Sequence, residues 1–223
     1  MFLFALVNMA LADSVSPDRP TASIGATTMA QSVGQLELGL TGQADFDVSP
    51  LMVNGLFRYG IGDSFEIRLD SSLGLDGSSL YLSPGVKWTA PAFVDAFDLG
   101  LALHPILPIE RDFALFAMAL ANVSFDAFSL SINAGGGVET GGAVEFIPQA
   151  SVVFGYQQGA FSPFIEVVSV LDNGFESTLG VGVIWSNSSL AFDIAAYVDP
   201  SELGEQNSAY QALMGFTYRF KGE

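Results

Sequence analysis

From Gly34 onward, apolar residues recur at every second position. Leu36, Leu38 and Leu40 alternate with Glu37, Gly39 and Thr41, and Phe65, Ile67 and Leu69 alternate with Glu66, Arg68 and Asp70. The same rhythm runs through Leu99–Leu103, Phe128–Ile132, Ala150–Tyr156, Leu179–Trp185, Leu190–Ala196 and Tyr210–Phe220. A period of two is the strand period, because successive side chains point to opposite faces. Clusters such as Gly60-Ile61-Gly62-Asp63, Asp76-Gly77-Ser78, Asp172-Asn173-Gly174 and Ser186-Asn187-Ser188 punctuate the runs as turns. Counting runs and turns predicts an all-β, antiparallel architecture of about twelve strands, each of roughly ten residues. Segments 112–123 and 161–171 are apolar at both parities, so their facing is open at this point.

Hydropathy decides which kind of β protein this is. Half of the 223 residues are hydrophobic and only 14% are charged, with a mean hydropathy of +0.43. A helical span needs about 20 apolar residues in a row, and no such run follows the N-terminus. The other structure that satisfies every backbone group in lipid is a closed barrel. A water-soluble sandwich or lipocalin-like barrel would need a charged outer face. Here the residues opposite the apolar rows are mostly Gly, Ser, Thr and Ala with a few charges, which suits a narrow wet lumen better. The expectation is a transmembrane β-barrel over 34–221 in the bacterial outer membrane, in contact with its lipid.

The N-terminus reads differently. Met1–Ala12 is a short apolar run ending in Ala10-Leu11-Ala12, a small-x-small pattern that predicts an export signal cut before Asp13. It lacks the usual positive start, and a buried N-terminal strand or helix is the alternative. Residues 13–33 are polar, with small residues and no period, and read as a periplasmic tail. The predicted loops are all short, so they offer no large plug.

With the N-terminus periplasmic, even-numbered strands end at the periplasm. Tyr59, Trp88, Tyr156, Trp185 and Tyr218 fall near those ends, where aromatic rings meet the membrane interface. The opposite loops are acidic: Asp45, Asp47, Asp76, Glu110, Asp112, Glu139, Asp172, Asp199, Glu202 and Glu205. Arg58, Arg68, Lys87 and Arg219 lie toward the periplasmic ends with lumen parity. Glu37, Glu66 and Asp70 share that parity. These seven are the candidate pore-lining residues. They read equally well as internal ion pairs that stiffen a small barrel, and the two roles are compatible.

Composition removes several functions. The chain has no cysteine, which excludes disulfides and thiol chemistry. Its formal net charge of −17 argues against nucleic acid as a partner. His104 is the only histidine, and no serine has a distinctive setting beside it, so no catalytic residues and no enzyme activity are expected. Gly180-x-Gly182 and Gly135-Gly136-Gly137 sit in strands without a following helix and are not phosphate loops. No cofactor and no metal site is expected. Glu202 and Glu205 read as solvated loop carboxylates.

Two resemblances add to this. Gly215, Tyr218 and Phe220 resemble the terminal-strand signal read by the barrel-assembly machinery, which places a glycine before aromatic residues three and five positions on. Leu213 and the trailing Lys221-Gly222-Glu223 depart from it. More broadly, Asp18-Arg19-Pro20, Gly34–Gly39, Phe57–Leu69 and Leu82–Trp88 occur in order and resemble the outer-membrane transporter family named for the meta-pathway of phenol degradation. The likeness covers roughly residues 18–90 and is only general beyond. It implies a porin-like barrel passing small solutes, aromatic or otherwise apolar. A non-conducting structural or surface-interaction barrel is the alternative.

Overall fold

The computed structural model describes residues 15, 17–18, 23–44, 51–77, 80–91, 96–108, 113–139, 145–171, 174–200 and 210–222. The export-signal expectation and most of the acidic loop residues lie outside them. The strands are β1 (Val33–Ala44), β2 (Met52–Gly60), β3 (Phe65–Gly74), β4 (Leu80–Thr89), β5 (Phe97–Pro108) and β6 (Ala114–Phe125). The second half contains β7 (Phe128–Glu139), β8 (Glu145–Tyr156), β9 (Phe161–Leu171), β10 (Phe175–Ser186), β11 (Leu190–Val198) and β12 (Tyr210–Lys221). Each pairs antiparallel with its sequence neighbours. β12 returns to β1, with Gly39 opposite Gly215 and Gln35 opposite Arg219. The sheet therefore closes and has no free edge, as lipid requires.

The alternation sorts side chains as the sequence predicts. Leu36, Ile67, Leu101, Ile132, Val152, Val181 and Phe192 are exposed on the outside of the barrel. Their neighbours Glu37, Glu66, Arg68, Ala102, Asn133, Ser151, Ala191 and Asp193 are buried inside. An exposed apolar belt around a polar interior is the reverse of a water-soluble protein and matches a lipid-embedded barrel. Aromatic residues ring the end of the barrel that carries the short turns. Phe128 contacts Tyr156 with ring centroids 5.0 Å apart, and Trp185 contacts Phe192 at 5.9 Å. Tyr218 stacks on Phe220 at 6.0 Å. An arginine at Val181, mid-strand on this belt, should destabilise folding into lipid vesicles by roughly 2–4 kcal/mol. A urea titration showing no loss would contradict the lipid-facing register.

The two segments of uncertain facing now resolve. In β6, Met118 and Leu120 point inward and pack on Ala102 and Ala26. In β9, Phe164 points inward and packs with Ala195 and Tyr197. Both parities are apolar because the outer face meets lipid while the inner face supports small apolar clusters.

The N-terminal stretch departs from the expected periplasmic tail. Residues 23–32, with Val15 and Asp18, run into the barrel and cross its interior. The Val15 amide donates to the Asn187 carbonyl at the β10–β11 turn, 2.8 Å away. Lys87 Nζ donates to the Gly25 carbonyl at 3.1 Å, and Thr89 Oγ1 to the Ala26 carbonyl at 2.7 Å. The physical reason is hydrogen bonding. An aperiodic polar backbone has donors and acceptors to satisfy, and a lumen lined with charged side chains satisfies them as water would. The N-terminal segment thus supplies lumen filling from within the chain.

Candidate functional site

The site is the lumen wall of β1–β5 and the segment lying against it. Arg58 on β2 sits directly opposite Arg68 on β3, and Glu66 on β3 opposite Lys87 on β4. Like charges facing across a ladder repel, so the Arg58–Arg68 rung needs anions. Glu66 supplies one: Arg58 donates to it through Nε at 2.9 Å and through Nη2 at 3.0 Å. Arg68 Nη1 reaches the same carboxylate at 3.3 Å and Lys87 Nζ at 3.6 Å. Glu37 lies 3.5 Å from Arg58. Arg58, Arg68 and Lys87 are all buried, and among the described carboxylates of β1–β5 Glu37 and Glu66 are buried with them.

Asp18 provides the third buried carboxylate, from the luminal segment rather than the wall. It pairs with Arg68 Nη1, lies 3.4 Å from Arg58 Nη1 and 3.5 Å from Lys87 Nζ. Burial raises its carboxyl pKa, but Arg58, Lys87 and Arg68 lower it further and hold it well below the usual carboxylate range. Asp18 is therefore ionised, and the segment is clamped by charge. Further along, the Met29 amide donates to Glu66 at 2.8 Å. On the far wall the Ser23 amide donates to Glu166 of β9 at 2.9 Å, Ser23 Oγ donates to the same carboxylate at 2.5 Å, and Ser151 Oγ of β8 lies 2.6 Å from Ser23 Oγ. The Tyr197 hydroxyl donates to Glu166 at 2.6 Å.

Beyond the clamp, a cavity of ≈ 260 Å³ opens in the lumen. Asp18, Ser23 and Ile24 form its floor, and β2–β8 form its walls. Asp70 lies at its side, 3.9 Å from Arg68 Nε and 3.4 Å from His104 Nδ1.

Of the seven residues read as pore-lining, the structure gathers Glu37, Arg58, Glu66, Arg68 and Lys87 into one cluster. Asp70 sits at its margin toward the cavity. Arg219 lies opposite Gln35 across the β1–β12 ladder. Gly215, Tyr218 and Phe220 lie on β12, the strand that closes the barrel, with Tyr218 outward-facing. Sequence reading missed Asp18, Ser23 and Glu166 as luminal groups. A usable signal existed for Glu166, the only charged residue in β9 and at inward parity.

No protein-family description matches this sequence, and no curated protein is detectably similar to it. Solved structures are similar in fold. The KdgM porin aligns at 8% identity over 83% of this chain and 99% of its own, with a TM-score of 0.67. The same porin, solved in complex with disordered oligogalacturonate, gives 0.68. The COG4313 outer membrane channel from Pseudomonas putida F1 aligns at 11% identity over 92% of this chain and 100% of its own, with a TM-score of 0.55. Outer membrane phospholipase A from Escherichia coli aligns at 8% identity over 95% of this chain and 96% of its own, with a TM-score of 0.51. At these identities the likeness shows the barrel fold, which porins, a channel and an enzyme share.

Proposed function

We propose that this chain is a porin-like channel of the bacterial outer membrane that passes small solutes, with its own N-terminal segment narrowing the lumen. The observation that carries this reading is a cavity, lined by both charged and apolar side chains, inside a closed barrel whose outside is apolar. A barrel of about eight strands fills its interior with wall side chains, and one of sixteen leaves an aqueous channel. Here twelve strands enclose a width that the wall leaves partly open and the N-terminal segment partly fills. The short-turn end, with both ends of the barrel strand series, faces the periplasm in this reading. β12 would present Gly215, Tyr218 and Phe220 to the assembly machinery.

Solute chemistry follows from the wall. The KdgM porin is described with oligogalacturonate, a polyanion. In this lumen the cations Arg58, Arg68 and Lys87 are already matched by Glu37, Glu66 and Asp18, which favours uncharged cargo. The aromatic or apolar compounds implied by the family resemblance would find apolar surface at Ile106, Phe116 and Met118. Hydrolysis finds less support. His104 Nε2 has no protein hydrogen-bond partner, so among the described residues no serine is poised on it as a nucleophile.

The test is reconstitution. The refolded protein in planar bilayers should show single-channel steps, and liposomes containing it should admit small uncharged solutes faster than anions of equal size. A barrel that folds but shows neither behaviour, with or without its N-terminal segment, would establish the closed structural reading instead.

A further inference from the structure

We propose that the luminal cavity is a binding subsite for an uncharged, polyhydroxylated ring compound of monosaccharide size, held by Asn133 and His104 against Phe116. This deepens the channel reading and rests on it.

The first observation is a set of buried polar atoms with no protein partner. Asn133 on β7 is 1% exposed, and neither its Nδ2 nor its Oδ1 is hydrogen-bonded. His104 on β5 is 8% exposed, and its Nε2 is likewise unpaired. Both residues line the cavity. Leaving such groups unmatched in a buried place is costly, so they mark places where a partner is expected. Asn133 offers a donor and an acceptor together. A matching ligand must present both kinds of group, and more than one of them. Hydroxyls do so, since each both donates and accepts. A ring with a single polar substituent, or a plain hydrocarbon, would leave part of this set unmatched.

The second observation is that the walls are built to hold these side chains in place. His104 and Phe116 are cross-strand partners of β5 and β6. The imidazole lies over Gly85, where an added Cβ would stand 2.5 Å from His104 Nδ1. The Phe116 ring lies over Gly137, where an added Cβ would stand 2.5 Å from its Cζ. Both glycines therefore make room for a ring laid against the wall. Asp70 sits 3.4 Å from Nδ1, which leaves Nε2 as the ring nitrogen without a protein partner. Phe116 and Met118 give the cavity an apolar side, suited to the C–H face of a ring.

Charge and size narrow the class. The ionic groups at the cavity, Asp18, Arg68 and Asp70, are ion-paired with one another, so a ligand charge would have to displace an existing pair. The unbonded Arg68 Nε and Asp70 Oδ2 offer a further donor and acceptor that hydroxyls can meet. Drug-sized ligands occupy pockets of about 300 Å³ and more. The ≈ 260 Å³ here restricts the occupant to a single small ring.

Glucose is the probe, with glucuronate as its charged analogue. Saturation-transfer difference NMR on the full chain refolded in lipid nanodiscs should show saturable glucose binding. Glucuronate should bind at least about tenfold more weakly, and so should glucose to Asn133→Leu, which keeps the shape but removes both hydrogen-bonding atoms. If Asn133→Leu fails to fold, His104→Phe, tested in the same way, carries the same expectation. Absence of saturable glucose binding to the wild type would overturn the proposal, as would binding that neither variant weakens. A wild type that conducts but does not bind glucose removes the subsite and leaves the channel standing. One that binds glucose without conducting supports the subsite and removes the channel.

Discussion

Excision of residues 13–30, which removes Val15, Asp18 and the luminal stretch from Ser23, is expected to raise single-channel conductance severalfold while the barrel still folds. The expectation follows from where the segment's contacts lie. It forms the floor of the cavity and spans from Lys87 and Glu66 on one wall to Glu166 and Ser151 on the other. Its removal takes out backbone and side chains but no strand, and every ladder from β1 to β12 remains. Asp18→Ala should act in the same direction with smaller effect, since it removes the charge that holds the segment to Arg58, Arg68 and Lys87. A lock gives the opposite result. The Ser23 and Ser151 hydroxyls are 2.6 Å apart, and the chain has no native cysteine. Ser23→Cys with Ser151→Cys should therefore hold conductance low under oxidising conditions and return to wild-type behaviour on reduction. Equal conductance in wild type, deletion and locked variant would show that solutes do not pass the segment's position.

Glu66→Ala is expected to destabilise the folded barrel by about 3–5 kcal/mol, the usual penalty for removing one partner from a buried ionic cluster. Among the described residues, Glu66 is the wall carboxylate that touches Arg58, Arg68 and Lys87 together. Without it, two arginines face each other across the β2–β3 ladder with Asp18 and Glu37 left to answer three cations. The penalty comes from charges left unmatched rather than from lost attraction alone. Glu66→Leu combined with Arg58→Met should accordingly recover part of the loss. Urea unfolding midpoints in lipid vesicles measure both. A single substitution that leaves the midpoint unchanged would mean that water or the segment screens these cations.

These two expectations rest on different levels of information. The candidate wall residues were legible in the sequence because parity in a strand is strict. Once Leu36, Leu38 and Leu40 face lipid, Glu37 must face inward, and the same logic assigns Arg58, Glu66, Arg68 and Lys87. Pairing of successive strands from β1 to β4 then puts them on one arc. What parity does not specify is which of several carboxylates each cation chooses, because that depends on rung offsets of a few ångströms between strands. Segments 112–123 and 161–171 were illegible for a related reason. Their inner faces are apolar, so the contrast that reveals parity vanishes.

The sequence by itself determined the strand period, the number of strands, the closure into a barrel and the division of side chains between lipid and lumen. All of these are repeated, short-range consequences of a two-residue alternation and of the need to satisfy every backbone group in lipid. Only the tertiary structure decided the course of residues 23–32, the clamp at Asp18, the Glu166 anchor and the cavity between Asn133 and Phe116. That segment has no periodicity to read, and its position is set by contacts with at least seven strands that are distant in the chain. The balance of charge around Asp18 exists only after those strands have curled into one wall.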